Sequence, residues 1–222
     1  HINAALPGQS IAMDVYPYAA SSTILDIDFI EGAETVLITW SKGMPEMAGR
    51  NLFEVADEMG LSVDDTIAAL RPAGAVYFSM LEDDVRRFLA SPSAMIGSDG
   101  LPHDEVPHPR LWGTFPRVLG HYARDEGLFS LEDAVRKMTS LPASRFGLGD
   151  RGIVQGGAVA DLVVFDADTI IDSATFADPK QPARGIHLVM VGGREVWKDG
   201  AATGARPGRA IRGHELSPAQ VS

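Results

Sequence analysis

The sequence of 222 residues has no cysteine, no long apolar run and fewer basic than acidic residues. Without cysteine it can form neither a disulfide framework nor a thiolate metal site, and this fits a reducing compartment, so we expect a cytoplasmic protein. Apolar stretches such as 11–13 and 162–165 are far shorter than the ~20 residues that span a bilayer. Residues 1–7 lack the basic flank and apolar stretch of a secretory signal. Neither membrane insertion nor export is expected.

The charge balance excludes a second class of partner. Nineteen basic and 30 acidic residues give a formal net charge of −11, which repels phosphate backbones and anionic lipid surfaces. The sequence therefore predicts no nucleic-acid binding. Because 45% of the residues are hydrophobic, the chain can fill a core of one large domain or two small ones.

The pattern of apolar residues predicts an α/β fold. Apolar residues at helical spacing lie between or after the strand-like runs. Two N-caps are predicted, at Ser62 with Asp65 three residues on and at Ser130 with Asp133 three residues on. Short β-branched or apolar runs predict strands at 11–16, 35–40, 75–80 and 94–97. Strands that alternate with helices are typical of parallel β/α units.

The pattern changes after Gly147. Short glycine-punctuated strands are predicted at 160–165, 188–191 and 195–198, and Gly192-Gly193 predicts a two-residue hairpin turn between the last two. These features favour part of a β-sandwich. The remaining residues, 201–222, have no periodicity and predict a loose or surface-bound end.

Asp99 is the candidate catalytic residue, because it directly follows the strand predicted at 94–97. In a β/α barrel, functional groups lie at the carboxyl ends of the strands, where a carboxylate can act as a general base. The alternative for the tetrapeptide Gly-Ser-Asp-Gly is an ordinary turn in which Asp99 binds a nearby backbone N–H.

The proline-rich segment 101–110 carries three further candidates. Arg110 could clamp a substrate carboxylate, or it could form a surface ion pair with Asp104 or Glu105. His103 and His108 could be metal ligands, but no short His-x-His spacing supports coordination. For both histidines we favour a structural role as hydrogen-bond partners.

Three other residues lie at or beyond predicted strand ends. Tyr16 could donate a hydrogen bond to a substrate oxygen or pack in the core with its hydroxyl satisfied. Ser22 is a weaker candidate for the same role. Met80 could line an apolar substrate pocket or fill a gap in the core.

Several strings together resemble the D-aminoacylase (N-acyl-D-amino-acid deacylase) branch of the amidohydrolase superfamily, and the likeness extends over residues 10–209. The strings are Asp-Val-Tyr-Pro-Tyr at 14–18, Gly-Ser-Asp-Gly-Leu-Pro at 97–102, Pro-His-Pro-Arg at 107–110, Gly-Thr-Phe-Pro-Arg-Val-Leu at 113–119 and Ala-Asp-Leu-Val-Val-Phe-Asp at 160–166. The string at 160–166, taken alone, is typical only of the wider superfamily.

The resemblance implies a zinc-dependent hydrolase that converts an N-acyl-D-amino acid to a carboxylate and a D-amino acid. Asp99 would be its general acid and base and at most a secondary metal ligand. Tyr16, Ser22 and Arg110 would hold the α-carboxylate of the substrate, and Met80 would lie near its side chain.

The resemblance covers only the C-terminal half of such enzymes, a distorted TIM (β/α) barrel with an inserted lid and an attached β-sandwich. In such enzymes a lysine also helps to hold the substrate carboxylate, and this lysine has no counterpart here. The principal zinc ligands are missing as well: a His-x-His pair, a cysteine and two histidines. We therefore expect this chain to need the missing N-terminal half as a partner and to be inactive alone. The implied divisions are barrel at 1–31, lid at 32–85, barrel with Asp99 at 86–150, sandwich at 151–210 and tail at 211–222.

Two other functions remain open at this point. A dihydroorotase-like or hydantoinase-like hydrolase of cyclic amides would share the role of Asp99, although it gives no reason for Tyr16, Ser22 and Arg110 together. A non-catalytic interaction module would explain the missing metal-ligand segment, although it gives no reason for a carboxylate at position 99.

Overall fold

The computed structural model describes residues 11–211 and has mixed α/β content. Strand β1 (Met13–Val15) pairs in parallel with β5 (Ala94–Ile96), and Val15 lies opposite Ile96. Helix α3 (Glu82–Leu89) precedes β5 and packs against both strands. Parallel strands next to each other have their carboxyl ends at the same edge, so the residues that follow β1 and β5 lie close together.

A separate antiparallel sheet lies between β1 and α3 in sequence. Its order is β2 (Ser21–Ile24), β4 (Ala73–Tyr77) and β3 (Val36–Ser41). The central strand β4 is buried throughout, and its small residues allow helices and neighbouring strands to approach closely. Helices α1 (Leu52–Met59) and α2 (Val63–Leu70) complete this unit, whose buried core includes Leu25, Val36, Ile38, Leu52, Val55, Ile67 and Leu70.

Local capping determines where these two helices begin. The Asn51 side chain accepts a hydrogen bond from the Phe53 N–H at 3.0 Å at the start of α1. Ser62 Oγ accepts from the Asp65 N–H at 3.1 Å at the start of α2, which confirms the predicted N-cap. Each such cap contributes about 1 kcal/mol, because it satisfies a backbone donor that lacks a helical partner.

The loop that follows β5 binds to this sheet. The pairing of β3 with β4 shifts register between Ile38 and Trp40, so Thr39 lies in a bulge. The Thr39 carbonyl, released from the ladder, accepts a hydrogen bond from the Val106 N–H at 2.9 Å. Gly74 leaves room for this arrangement, because a Cβ there would lie 2.6 Å from Thr39 Oγ1. The segment after β5 is therefore held against the edge of the antiparallel sheet.

A second core lies under the helices that follow. Helix α4 (Arg110–Arg117) continues directly into a π-helix (Val118–Asp125), and α5 (Leu131–Met138) and α6 (Ser140–Arg145) follow. Pro116 lacks an N–H for a helical bond, which agrees with the change of helix type two residues later. The predicted cap of α5 is confirmed, since Ser130 Oγ accepts from the Asp133 N–H at 3.1 Å.

The last sheet is antiparallel and contains four strands, β6 (Leu162–Phe165), β7 (Ile186–Val191), β8 (Arg194–Lys198) and β9 (Ala201–Ala202). The predicted hairpin between β7 and β8 is confirmed. Gly192 and Gly193 have φ values of +56° and +76°, as a tight two-residue turn requires. Val163 and Val164, which point to opposite faces of β6, are 54% and 50% exposed. Both faces of this strand are therefore partly exposed within 11–211, although Phe165 at its end packs against the second core.

The predicted division at residue 32 passes through the antiparallel sheet, because β2 precedes it and pairs with β4 from Ser21 to Ile24. The domain boundaries as a set stay a prediction. Of the predicted tail, 211–222, only residue 211 lies within the described residues. Within 11–211, the structure contains no helix of the length and apolarity that crossing a membrane demands.

Candidate active site

Asp99 lies three residues beyond β5 with its backbone in the left-handed region, at a φ of +47°. Aspartate tolerates this conformation better than most residues because its short side chain can bind nearby backbone groups. Gly100 follows, and a Cβ there would lie 2.9 Å from the Cα of Leu111, so helix α4 can pack closely on the loop. The Asp99 side chain is 64% exposed and is available to a ligand.

Arg110 binds the Asp99 carboxylate from a buried position. It is the first residue of α4, only 1% exposed, and its Nη2 lies 2.8 Å from Asp99 Oδ2. The same nitrogen donates to the Ser22 carbonyl at 3.2 Å. The alternative of a surface ion pair with Asp104 or Glu105 is wrong, because the Arg110 side chain is buried and its ion-pair partner is Asp99.

Three buried polar atoms in this group have no hydrogen-bond partner among the described residues. They are Nε and Nη1 of Arg110 and the hydroxyl oxygen of Ser22. A buried guanidinium whose donors are unpaired is costly, so proteins nearly always supply a partner, a water or a ligand. Unpaired buried donors of this kind are suited to binding an anionic group.

Tyr16 directly follows β1 and forms one wall of this site. The guanidinium carbon of Arg110 lies 4.6 Å from the centre of the Tyr16 ring, in a cation–π contact. Burial raises the pKa of Tyr16, while the positive charge of Arg110 opposes this effect and the negative charge of Asp99 adds to it. The hydroxyl group stays protonated at neutral pH and can donate a hydrogen bond.

Met80 lies three residues beyond β4 and is 38% exposed. The alternative that it fills a gap in the core is therefore wrong. The structure brings Tyr16, Ser22, Asp99 and Arg110 together through direct contacts, and within 11–211 no hydrogen bond, ion pair or ring contact links Met80 to them.

The two histidines of segment 101–110 differ in environment. His103 has a side chain that is 71% exposed, and its Nε2 lies 3.7 Å from Asp104 Oδ1. His108 is 3% exposed; its Nδ1 accepts from the Arg110 N–H at 2.9 Å, and its Nε2 lies 3.0 Å from the Ala20 carbonyl. The structural interpretation of His108 as a hydrogen-bond partner is confirmed.

The pKa of His108 is lowered to about 3. Burial is the main cause, since it disfavours the charged imidazolium, and the nearby Arg110 charge acts in the same direction. The Ala20 carbonyl opposes both effects. His108 is therefore neutral at physiological pH, and Arg110 is the cation of the site.

Sequence reasoning missed the burial of Asp104 beside the candidate site. It is only 5% exposed, and its carboxylate lies beside the Thr39 side chain. Burial raises the pKa of Asp104, whereas the Thr39 hydroxyl, His103 and Arg110 lower it. No sequence pattern distinguishes this aspartate from the exposed ones, because its burial depends on the distant strand β3.

The described residues do not form a metal site by themselves. Within 11–211, no three His, Asp or Glu side chains lie close enough together to hold a metal ion. A catalytic zinc ion requires about three protein ligands. Asp99, paired with Arg110, has no such companions in this part of the chain.

Known proteins match most of the chain. A model of the amidohydrolase family matches residues 13–197. A D-aminoacylase of Alcaligenes xylosoxydans xylosoxydans is 58% identical over 210 residues, which are 95% of this chain and 43% of that protein. An N-acyl-D-aspartate deacylase of the same organism is 48% identical over 218 residues, 98% of this chain and 44% of that protein.

Solved structures agree with these matches. A crystal structure of D-aminoacylase, 58% identical, superposes with a TM-score of 0.89 over 92% of this chain and 43% of that one. An N-acyl-D-glutamate deacylase from Bordetella bronchiseptica, complexed with zinc and a phosphonate mimic of the tetrahedral intermediate, is 47% identical with a TM-score of 0.87, over 90% of this chain and 42% of that one. This chain spans less than half the length of these relatives. Since the family model matches most of its residues, the chain belongs to the amidohydrolase family.

Proposed function

We propose that this chain supplies the proton-transfer and carboxylate-binding part of a hydrolase that converts N-acyl-D-amino acids to a carboxylate and a D-amino acid. The observation that carries the proposal is the direct pairing of Asp99 with buried Arg110 at 2.8 Å, next to Tyr16 and Ser22. The relatives named D-aminoacylase and N-acyl-D-aspartate deacylase support the same reaction class.

The substrate α-carboxylate fits the unpaired donors. Nε and Nη1 of Arg110 and the Ser22 hydroxyl are buried without partners, and a carboxylate can accept from all three. Tyr16 adds a fourth donor next to the guanidinium. Held in this way, the substrate presents its amide to the exposed carboxylate of Asp99. Asp99 then accepts a proton from the attacking water and delivers it to the leaving nitrogen.

Zinc is the metal of the related N-acyl-D-glutamate deacylase complex, and a binuclear metal centre is described for a D-aminoacylase. We propose that this protein also uses zinc, held mainly by residues in the part of the relatives that this chain does not span. Asp99 is at most a secondary ligand in this proposal, since the described residues provide no three-ligand group.

We expect the isolated 222-residue chain to bind zinc weakly and to hydrolyse no N-acyl-D-amino acid. One exposed carboxylate paired with Arg110 cannot replace about three ligands. Isothermal titration calorimetry with zinc checks the first expectation. Tight stoichiometric binding by the isolated chain would contradict it.

We also propose the finer architecture, a portion of a distorted β/α barrel with a lid at 32–85 and part of a β-sandwich at 151–210. The parallel pairing of β1 with β5 supports the barrel, and the half-exposed Val163 and Val164 support a sandwich whose remaining strands come from elsewhere. The partner in this proposal is the N-terminal half of the relatives, present as another chain or as preceding sequence.

A chimera tests the function. Residues 11–211 replace the matching segment of the Alcaligenes D-aminoacylase, which is 58% identical. We expect the chimera to hydrolyse N-acetyl-D-amino acids and to leave the N-acetyl-L isomers and cyclic ureides unchanged, because Arg110 and its neighbours fix the carboxylate in one orientation. The assay measures amine release for apolar and acidic D-substrates.

The outcomes separate the alternative functions. Hydrolysis of cyclic ureides alone would favour a dihydroorotase-like or hydantoinase-like enzyme. A folded, zinc-loaded chimera without activity on any of these substrates would favour a non-catalytic module. The unmodified Alcaligenes enzyme is the positive control, and the chimera with Asp99→Asn is the negative control.

A further inference from the structure

We propose that His108, as a neutral imidazole with its proton on Nε2, is the positioning residue that holds Arg110 in register with Ser22 and Tyr16. The inference rests on the proposed function, since it assigns a role in binding the carboxylate of the substrate. His108 does not touch the reacting atoms and acts through Arg110.

Two hydrogen bonds place His108 between the two segments that form the site. Its Nδ1 accepts from the backbone N–H of Arg110 at 2.9 Å, so this nitrogen carries no proton. The proton is then on Nε2, which donates to the Ala20 carbonyl at 3.0 Å. Ala20 is 1% exposed and lies directly before β2, two residues from Ser22. One side chain thus bridges segments 88 residues apart in sequence.

Aromatic rings fix the orientation of the imidazole. The ring centres of Tyr18, Phe176 and Tyr16 lie 5.1, 4.9 and 6.2 Å from that of His108, each at a steep interplanar angle. Phe176 comes from the long connection between β6 and β7 and also contacts Phe78 just after β4, at 4.6 Å. The imidazole cannot turn without displacing these rings.

The arrangement depends on a neutral imidazole. A second proton, on Nδ1, would abolish the acceptor for the Arg110 N–H and would place a second buried cation beside the guanidinium. Burial and Arg110 both keep His108 neutral. The backbone of Arg110 is therefore fixed by His108 while its guanidinium is fixed by Asp99 and the Ser22 carbonyl.

Three substitutions in the chimera separate the two hydrogen bonds. His108→Asn keeps an acceptor close to the position of Nδ1, His108→Gln keeps a donor close to the position of Nε2, and His108→Ala removes both. We expect His108→Ala to raise KM by ~10- to 100-fold, because a buried donor is left unpaired next to the carboxylate site, with kcat changed by less than ~3-fold. His108→Asn is expected to restore most of KM, and His108→Gln much less.

The matched control is His103→Ala, which changes a histidine of the same loop whose side chain is 71% exposed. Its KM and kcat are expected to equal those of the unmodified chimera. Thermal unfolding identifies any variant that fails to fold, and a folded His108→Ala variant with unchanged KM would overturn the proposal. An Asn variant no better than the Ala variant would also overturn it.

Imidazole ¹⁵N shifts of the 222-residue chain provide a second readout that does not require activity. We expect the Nε2–H tautomer for His108 and no titration of its imidazole between pH 5 and pH 8. Titration of His108 in this range would contradict the proposal. If the unmodified chimera is inactive, the proposed function fails, and the tautomer then decides whether His108 fixes the Arg110 backbone.

Discussion

Asp99→Asn is expected to lower kcat of the chimera by ~10²- to 10⁴-fold, the usual contribution of a general acid–base group. Asparagine has nearly the same shape, tolerates the left-handed backbone at φ +47°, and can still accept from Arg110 Nη2. It cannot accept and return a proton at neutral pH. The substitution therefore removes the chemistry and keeps the structure.

Two measurements complete this test. Steady-state kinetics give kcat and KM, and elemental analysis gives the zinc content, which we expect to change little because the principal ligands lie elsewhere. Asp64→Asn is the matched control, since Asp64 is exposed on α2, away from the site. Unchanged turnover in Asp99→Asn would remove Asp99 from the mechanism.

Arg110→Ala is expected to cost ~2–5 kcal/mol in kcat/KM for N-acetyl-D-amino acids, because a buried charged group that pairs with a ligand is lost. Arg110→Lys is expected to recover only part of this, since an ammonium group cannot bind the carboxylate, the Ser22 carbonyl and Asp99 with the same fork of donors. Most of the loss in kcat/KM is expected as a higher KM, because Arg110 binds the carboxylate of the substrate already in the ground state.

A substrate without the α-carboxylate makes this prediction specific. An N-acyl amine lacks the carboxylate that Arg110 binds, so Arg110→Ala is expected to lower kcat/KM on it far less than on N-acetyl-D-amino acids. The loss that remains on the amine reports the contact of Arg110 with Asp99. Arg87→Ala is the charge-matched control, because the Arg87 side chain is 76% exposed on α3. An equal loss of kcat/KM on both substrates would contradict a carboxylate-binding role and would favour a purely structural one.

Local chemistry made part of the fold predictable from the sequence. The caps at Ser62 and Ser130 and the turn at Gly192-Gly193 depend on residues within three positions, and the structure contains all three. The predicted ends of strands were less accurate. For example, the strand predicted at 75–80 is β4 at Ala73–Tyr77. Tertiary pairing decides where a strand ends, and the sequence period does not encode it.

Long-range contacts in the site could not be predicted in this way. The sequence indicated Asp99 and Arg110 as candidates but could not pair them, and an exposed arginine remained an open alternative until burial was known. The hydrogen bond from His108 to Ala20 spans 88 residues, and Phe176 reaches the site from the connection between β6 and β7. Such contacts follow from the packing of whole units, which short patterns do not specify.

The left-handed backbone at Asp99 also limits how this position can evolve. Side chains other than asparagine, aspartate and glycine carry a steric cost of about 1–2 kcal/mol there. An aspartate codon becomes an asparagine codon by a single nucleotide change, and that exchange leaves the loop undisturbed. Under the proposed function, one nucleotide change can therefore remove the catalytic carboxylate and still leave a well-folded protein that competes for the same ligands.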